Sequence, residues 1–196
     1  MTRNGITIHR ETNETTIHLE WGLDGNGTHT INTGIGFFDH MLTLFCVHGL
    51  FDMQLTVTGD LHVDAHHTVE DVGICLGQAI HQSLNDRAGI VRYASGAYPM
   101  DDTLCRMAID MGGRPFLKLE NTIAPQSFGA FHTELVTEFF QALVQHAGMN
   151  LYVEWPHKGN GHHMIEALFK GAGITLDQAT QLNPRRRGIP SSKGHL

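Results

Sequence analysis

Apolar and polar positions alternate in two stretches of the chain, and both stretches run into a Gly-containing turn. They are ETTIHLEWGLDG at 14–25 and DTLCRMAIDMGG at 102–113. Such alternation is typical of a strand with one buried face. A further strand-like stretch lies downstream of each, FDMQLTVTGDL at 51–61 and MNLYVEW at 149–155. The pattern therefore predicts two matched sets of strands.

Apolar residues at helical spacing also occur in matched pairs. DHMLTLFCVHG at 39–49 corresponds to TEFFQALVQHAG at 137–148, and each ends in a glycine that could close a helix. VGICLGQAIHQSL at 72–84 corresponds to ALFKGAGITLDQAT at 167–180. The order hairpin, helix, strand, helix thus occurs twice, which indicates gene duplication. We expect an α+β fold of two similar halves, each a mixed sheet with helices on one face.

The boundaries follow from this repeat. We assign residues 1–92 to the first half and 93–180 to the second, and expect the two to pack as one compact unit. Residues 181–196 are polar and contain Gly and Pro, so they form a separate C-terminal tail.

Composition excludes several classes of protein. The 196 residues are 41% hydrophobic, with a mean hydropathy of −0.16, as in globular proteins that stay in solution. The start, MTRNGITIHR, has no apolar signal-peptide core, so we expect a cytoplasmic protein without membrane partners. Cys46, Cys75 and Cys105 are widely spaced among apolar neighbours and are interpreted as reduced core residues. A net charge of −7 argues against a nucleic-acid partner.

Two histidine motifs stand out among 15 histidines: DAHHTVED at 64–71 and GNGHHMIE at 159–166. On a helix, residues four apart share a face, so His66 can share a metal ion with Glu70, and His162 with Glu166. The second histidine of each pair is rotated by about 100° and must serve another site. Ligands from another element are then needed, and His40 and Glu138 hold matching positions on the earlier helices.

Mixed imidazole and carboxylate ligands without thiolate suit Mn²⁺, Fe²⁺ or Zn²⁺. The alternative is a helix start with polar histidines, with Asp64 as its N-cap. The motifs GxxxxGK[ST], GxGxxG after a strand, HExxH and GxSxG do not occur in the sequence. Groups suited to a small phosphate monoester do occur, namely Arg92, Arg114, Lys170, Ser191, Ser192 and Lys193.

Four motifs in this order resemble the imidazoleglycerol-phosphate dehydratase family of histidine biosynthesis. They are GFFDHML at 36–42, DAHHTVEDVGICLG at 64–77, GHHMIEALFK at 161–170 and GIPSSKG at 188–194, and the resemblance covers essentially the whole chain. It implies two α+β halves of the ribosomal protein S5 domain 2 type and two Mn²⁺ ions per active site. It further implies active sites between the subunits of a homo-oligomer of 24 copies.

The resemblance also implies roles for individual residues. One ion would take His66, Glu70, His163 and Glu138, and the other His40, His67, His162 and Glu166. Several relatives have histidine where this chain has Glu138, so His132 and His146 remain alternatives there. Glu14 would be the base that removes the carbon proton, with Asp102 as the second candidate. The substrate would contact Glu14, His48, Arg92, Arg114, Lys170, Ser191, Ser192 and Lys193.

The implied reaction is the loss of water from imidazole-glycerol phosphate to give imidazole-acetol phosphate, through an imidazolate bound to manganese. Two other classes stay open from the residues alone. A dinuclear phosphoester hydrolase would need metal ions about 3.5–4 Å apart, which adjacent histidines that point to separate ions disfavour. A non-enzymatic metal-binding assembly would have no use for a phosphate-binding tail.

Overall fold

The computed structural model describes residues 3–120 and 123–196. The first half forms a four-stranded sheet of order β1-β2-β4-β3, in which only the β3–β4 pair is parallel. Its elements are β1 (Ile6–Glu11), β2 (Thr15–Gly22), β3 (His29–Asn32), α1 (Gly36–Gly49), β4 (Asp52–Gly59) and α2 (His66–Leu84).

The second half repeats this arrangement in a sheet of order β5-β6-β10-β7, again with one parallel pair, β10–β7. Its elements are β5 (Tyr93–Met100), β6 (Thr103–Asp110), β7 (Phe116–Leu119), β8 (Ser127–Phe128), β9 (Phe131–His132), α3 (Leu135–Ala147), β10 (Asn150–His157) and α4 (Gly161–Thr180). The predicted α+β fold with two similar mixed sheets is confirmed. The sequence pattern missed β3 and β7 because edge strands of four residues are too short to show a clear alternation.

The helices of the two halves pair with each other between the sheets. Helices α1 and α2 lie on the first sheet, α3 and α4 on the second, and α1 packs on α4 while α2 packs on α3. Gly77 and Gly173 occupy equivalent positions where these pairs approach most closely. A Cβ on Gly77 would lie 2.7 Å from Leu143 O, and one on Gly173 would collide with Phe45 O. Buried apolar residues of both halves therefore form one continuous core.

The predicted glycine stop is found at only one of the two helix ends. Gly148 ends α3 in the left-handed conformation, with φ 64°. At the end of α1 it is Leu50 that takes this conformation, with φ 57°, so the expectation for Gly49 was wrong. Gly49 is needed for close packing instead, since a Cβ there would lie 2.9 Å from Gly173 O.

Local contacts settle two smaller expectations. Asp64 lies one residue before the N-cap of α2, and its Oδ1 accepts a hydrogen bond from His66 N at 2.8 Å. The three cysteines are free and buried, as predicted, and burial raises each thiol pKa to about 12. Among the described residues, no helix is both long and apolar enough to cross a membrane.

Candidate active site

Three predicted metal ligands meet where the first two turns of α1 and of α4 come together. His40 Nε2 lies 2.9 Å from Glu166 Oε1, and His162 Nε2 lies 3.4 Å from the same oxygen. The ligand atoms of these three residues all lie within 4.8 Å of one another. Two imidazoles and a carboxylate at this spacing are a donor set that fits a divalent transition-metal ion.

The carboxyl group of Glu166 is buried, yet it is held in its charged form. Burial acts to raise its pKa, but hydrogen bonds from His40 and Lys170 and the charge of Lys170 bring the pKa to about 2. Lys170 Nζ lies 3.0 Å from Glu166 Oε2. The carboxylate of Glu166 is therefore ionised at neutral pH and lies next to the imidazole nitrogens of His40 and His162.

The equivalent site, at the start of α2 in the α2–α3 pair, has fewer ligands close together. His66 Nε2 lies 3.7 Å from Glu70 Oε2, and both side chains are nearly half exposed. Within residues 3–120 and 123–196, the only group of three such ligand atoms is the one around Glu166. A single chain thus does not bring Glu138, His132 or His146 together with His66 and Glu70 as a third ligand.

His67 and His163 each form a hydrogen bond to a carboxylate through Nδ1. His67 Nδ1 lies 2.9 Å from Asp60 Oδ2, and His163 Nδ1 lies 2.8 Å from Asp102 Oδ1. These hydrogen bonds are the main reason that the pKa of both imidazoles is raised. A carboxylate on one ring nitrogen is the usual support of a metal-binding histidine, because it fixes the tautomer and leaves Nε2 as the ligand.

The second nitrogens of these two rings face further carboxylates. His67 Nε2 lies 3.7 Å from Glu14 Oε1, and His163 Nε2 lies 3.7 Å from Asp101 Oδ2. The predicted base Glu14 therefore adjoins a predicted metal ligand. Sequence reasoning did not assign Asp60, which follows β4, or Asp101, which lies in the turn between β5 and β6. Their contacts with His67 and His163 depend on how these strand ends lie beside the helices.

Glu14 and Asp102, the two candidates for the base, differ in how their oxygens are engaged. Asp102 accepts from His163 through Oδ1 and from Asn160 N, at 2.8 Å, through Oδ2. The hydrogen bond from His163 is the main cause that lowers the pKa of Asp102. The two side chains are equally exposed, at 52% for Glu14 and 53% for Asp102, but among the described residues Glu14 has only His67, at 3.7 Å, as its ion-pair partner. Glu14 is thus the carboxylate more available to a substrate.

A cationic cavity of about 580 Å³ lies beside the C-terminal tail. It includes five of the predicted substrate-binding residues together with others that sequence reasoning did not assign. The predicted ones are Arg92, Arg114, Ser191, Ser192 and Lys193, and the unassigned ones include Arg186, Arg187 and His195. Arg92 forms a two-pronged ion pair with Asp110, at 2.7 and 3.1 Å, and donates to Pro190 O at 2.7 Å.

Two predicted substrate contacts lie elsewhere. Lys170 does not line this cavity, because it pairs with Glu166 in the metal-ligand cluster. His48 stands near the same pair, and burial, followed by the charge of Lys170, lowers its pKa. Within one chain, the predicted phosphate-binding residues are therefore divided between the cationic cavity and the Glu166 cluster.

The cavity and the histidine clusters lie far apart in one chain. Arg92 immediately precedes β5, whereas Asp101 and Asp102 immediately follow it beside His163. Strand β5 has eight residues, and at a rise of about 3.3 Å between neighbours its ends are about 23 Å apart. A small phosphorylated substrate cannot span that distance.

Comparisons with known proteins were consistent across sequence and structure. The family model described as imidazoleglycerol-phosphate dehydratase matches residues 33–176. A protein of that name from Methylorubrum extorquens is 52% identical over 191 residues, covering 97% of this chain and 98% of the relative. Another from Syntrophobacter fumaroxidans is 50% identical, covering 97% and 96%.

Solved structures show the same similarity. The imidazoleglycerol-phosphate dehydratase of Staphylococcus aureus superposes with a TM-score of 0.83 at 35% identity, covering 92% of this chain and all of that one. The enzyme of Pyrococcus furiosus, solved in complex with (S)-C348, also gives a TM-score of 0.83, at 32% identity, covering 96% of this chain and all of that one.

Proposed function

This chain belongs to the imidazoleglycerol-phosphate dehydratase family and is a dehydratase of histidine biosynthesis, and we propose that it removes water from imidazole-glycerol phosphate to give imidazole-acetol phosphate. The observation that carries this proposal is the meeting of His40, His162 and Glu166 within 4.8 Å, in a chain that also has a cationic cavity. An imidazole-bearing phosphate needs both features.

Two Mn²⁺ ions would be held by the two predicted ligand sets. His40, His162 and Glu166 would hold one of them, with His67 as the fourth ligand. His66, Glu70, His163 and Glu138 would hold the other. When bound, such ions withdraw electron density from the imidazole of the substrate and ease the loss of its ring proton and of the neighbouring hydroxyl.

The side chains of this protein would supply the proton transfer and the orientation. Glu14 takes the proton from C2 of the substrate, because its carboxylate adjoins His67 and, unlike that of Asp102, does not already accept hydrogen bonds on both oxygens. Asp102 instead holds His163 in one tautomer, since both of its oxygens already accept hydrogen bonds. Asp60 does the same for His67.

The phosphate of the substrate would lie in the cationic cavity. Arg114, Ser191, Ser192 and Lys193 bind its oxygens, and Arg92 holds the tail in place through Pro190 O. Lys170 and His48 approach the substrate from the side of the Glu166 cluster. Fixing the phosphate places the reacting carbon within reach of the base, which is a large part of the rate gain in such reactions.

The active site would be shared between copies of the chain. The separation of about 23 Å along β5, and the absence of a third ligand near His66 in the described part of the chain, both support this. We infer a homo-oligomer of 24 copies in the cytoplasm, with a small-molecule substrate and without nucleic-acid or membrane partners. His67 with Asp60, and His163 with Asp102, would then complete metal sites on neighbouring copies.

The test is to incubate the Mn²⁺-loaded protein with imidazole-glycerol phosphate and to measure two products. A dehydratase forms a new carbonyl compound and releases no inorganic phosphate. A dinuclear phosphoester hydrolase would release phosphate, and a non-enzymatic metal-binding assembly would form neither. Release of phosphate without a carbonyl product would overturn the proposed reaction.

A further inference from the structure

Four positive charges of the C-terminal tail lie within one short segment. Residues 182–196 contain Arg185, Arg186, Arg187 and Lys193 and no Asp or Glu, in a chain with 13 Lys and Arg against 20 Asp and Glu. Three of these four side chains line the cationic cavity; Arg185 does not. The tail therefore places most of its charge at one site in an otherwise acidic protein.

The cavity has more positive charge than one phosphate group needs. Asp110 neutralises Arg92, which leaves Arg114, Arg186, Arg187 and Lys193. A phosphate monoester carries a charge of only about −1.5 to −2 at pH 7. Arg114 and Lys193 already match this charge, so the charge of Arg186 and Arg187 is in excess.

Arg186 and Arg187 are exposed, but their backbone is fixed. Gly89 N donates to Gly188 O at 2.9 Å, Asn183 N donates to Gly89 O at 2.8 Å, and Arg186 N donates to Asn183 O at 2.9 Å. These bonds tie the segment to the chain just before β5. Arg186 and Arg187 are therefore held beside the cavity, which both line, with their side chains open to solvent.

We propose that Arg186 and Arg187 capture the dianionic substrate by long-range attraction and guide it into the cavity. This rests on the proposed dehydratase function. An acidic protein surface repels a dianion, and a local cationic rim reverses that repulsion and raises the association rate, by about 10 to 10³-fold in known cases. Exposed charges of this kind act on the rate of encounter and lose their effect in salt, whereas the groups inside the cavity hold the bound phosphate.

The test compares kcat and kcat/KM of the Mn²⁺-loaded protein in about 0.1 M and about 1 M KCl, between which the Debye length falls from about 10 Å to about 3 Å. The double variant Arg186→Gln/Arg187→Gln should lose about tenfold in kcat/KM at low salt and keep its kcat. At high salt it should approach the wild type. Arg185→Gln is the matched control, with the same chemical change next to the rim, and should lose at most about twofold.

A second variant separates attraction from specific binding. Arg186→Lys/Arg187→Lys keeps the charge but not the planar fork, so it should retain the wild-type kcat/KM if the charge alone matters. A fall in kcat, a deficit that persists in about 1 M KCl, or an equal loss in Arg185→Gln would each overturn the capture role.

Binding of inorganic phosphate, followed by isothermal titration, checks the same inference without turnover. Its affinity should fall in the double glutamine variant at low salt and converge with the wild type at high salt. Wild-type dehydratase activity tests the proposed function separately. An active wild type with an equally active double variant at low salt would overturn the capture role alone.

Discussion

The Nδ1 atom of His67 lies 2.9 Å from Oδ2 of Asp60, so this carboxylate fixes the ring and leaves Nε2 for another partner. Asp60→Asn should weaken Mn²⁺ binding by about 10 to 100-fold, as the loss of such supporting carboxylates does elsewhere. Titration of free Mn²⁺ by electron paramagnetic resonance measures this. Asp86→Asn is the control, because Asp86 is an exposed loop residue whose one hydrogen bond to the described residues comes from Ala88 N. Equal Mn²⁺ affinity in both variants would remove Asp60 from the metal site.

Glu14 and Asp102 should give opposite results when their charge is removed. Glu14→Gln should keep its metal and its substrate affinity, while turnover falls by about 10² to 10⁴-fold because no base removes the carbon proton. Asp102→Asn should lose metal affinity, since His163 loses its support, and should regain most of its turnover in excess Mn²⁺. Metal content by atomic emission and turnover at saturating substrate separate the two. If Glu14→Gln lost metal and Asp102→Asn lost only turnover, Asp102 would be the base and Glu14 the supporting residue.

The tail should act on substrate affinity and not on assembly. Lys193→Gln should raise KM by about tenfold, the value of one charge-assisted hydrogen bond. Deletion of residues 188–196 should raise KM further, because it also removes the Pro190 carbonyl that accepts from Arg92. Light scattering should give the same particle size for both variants. An unchanged KM after the deletion would make the tail a solvent-exposed end without a part in binding.

Removal of the metal should abolish activity and dissociate the assembly. If the ions join ligands from different copies, a chelator should abolish turnover and shift large particles to smaller ones, and Mn²⁺ should restore both. Bound metal stabilises the assembled form by about 2.7 kcal/mol at a hundredfold excess over Kd. Acidification to about pH 5 should act in the same direction, because protonated histidines do not bind metal. A fully metallated and active single chain, seen by light scattering, would contradict shared sites.

The ion pair between Arg3 and Asp24 should make stability depend on pH. Arg3 N and Nε donate to Asp24 Oδ2 at 2.7 and 2.9 Å, and Arg3 also donates to Thr180 O at 3.0 Å. The hydrogen bond from the Arg3 side chain is the main cause that lowers the pKa of Asp24 below its usual 3.8. A carboxyl group with a lowered folded pKa stabilises the protein above its unfolded pKa and loses that contribution as the pH falls through the folded value.

Asp24→Asn should therefore lower the free energy of unfolding by about 1 kcal/mol at pH 6. The difference from the wild type should shrink below about pH 4, as the wild-type carboxyl takes up its proton. Urea unfolding at both pH values measures this. A difference that stays constant between pH 6 and pH 3 would show that the pair contributes through packing and not through charge.

The α+β class, the duplication and the main helices were predictable because they depend on local periodicity. Apolar alternation at 14–25 and helical spacing at 72–84 reflect which face of each element is buried, and that face is encoded residue by residue. The pairing of His66 with Glu70, and of His162 with Glu166, is equally local, because one helical turn brings both partners together.

Local periodicity could not predict which metal ligands from distant parts of the chain lie close together. His40 reaches Glu166, 126 residues away, because α1 packs on α4 through the backbone contact at Gly173. A glycine in a helical pattern does not indicate which helix will approach it. For the same reason the sequence placed Lys170 with the phosphate groups, whereas the fold places it beside Glu166.

By itself, then, the sequence determined the elements, their repeat and the residue types available for metal and phosphate. The tertiary structure alone decided that Asp60 and Asp102 support His67 and His163, that Arg186 and Arg187 line the cationic cavity, and that this cavity lies a full strand away from the histidines. Periodicity records burial within an element, while the distance between two elements depends on how their surfaces pack, and no local pattern contains that information.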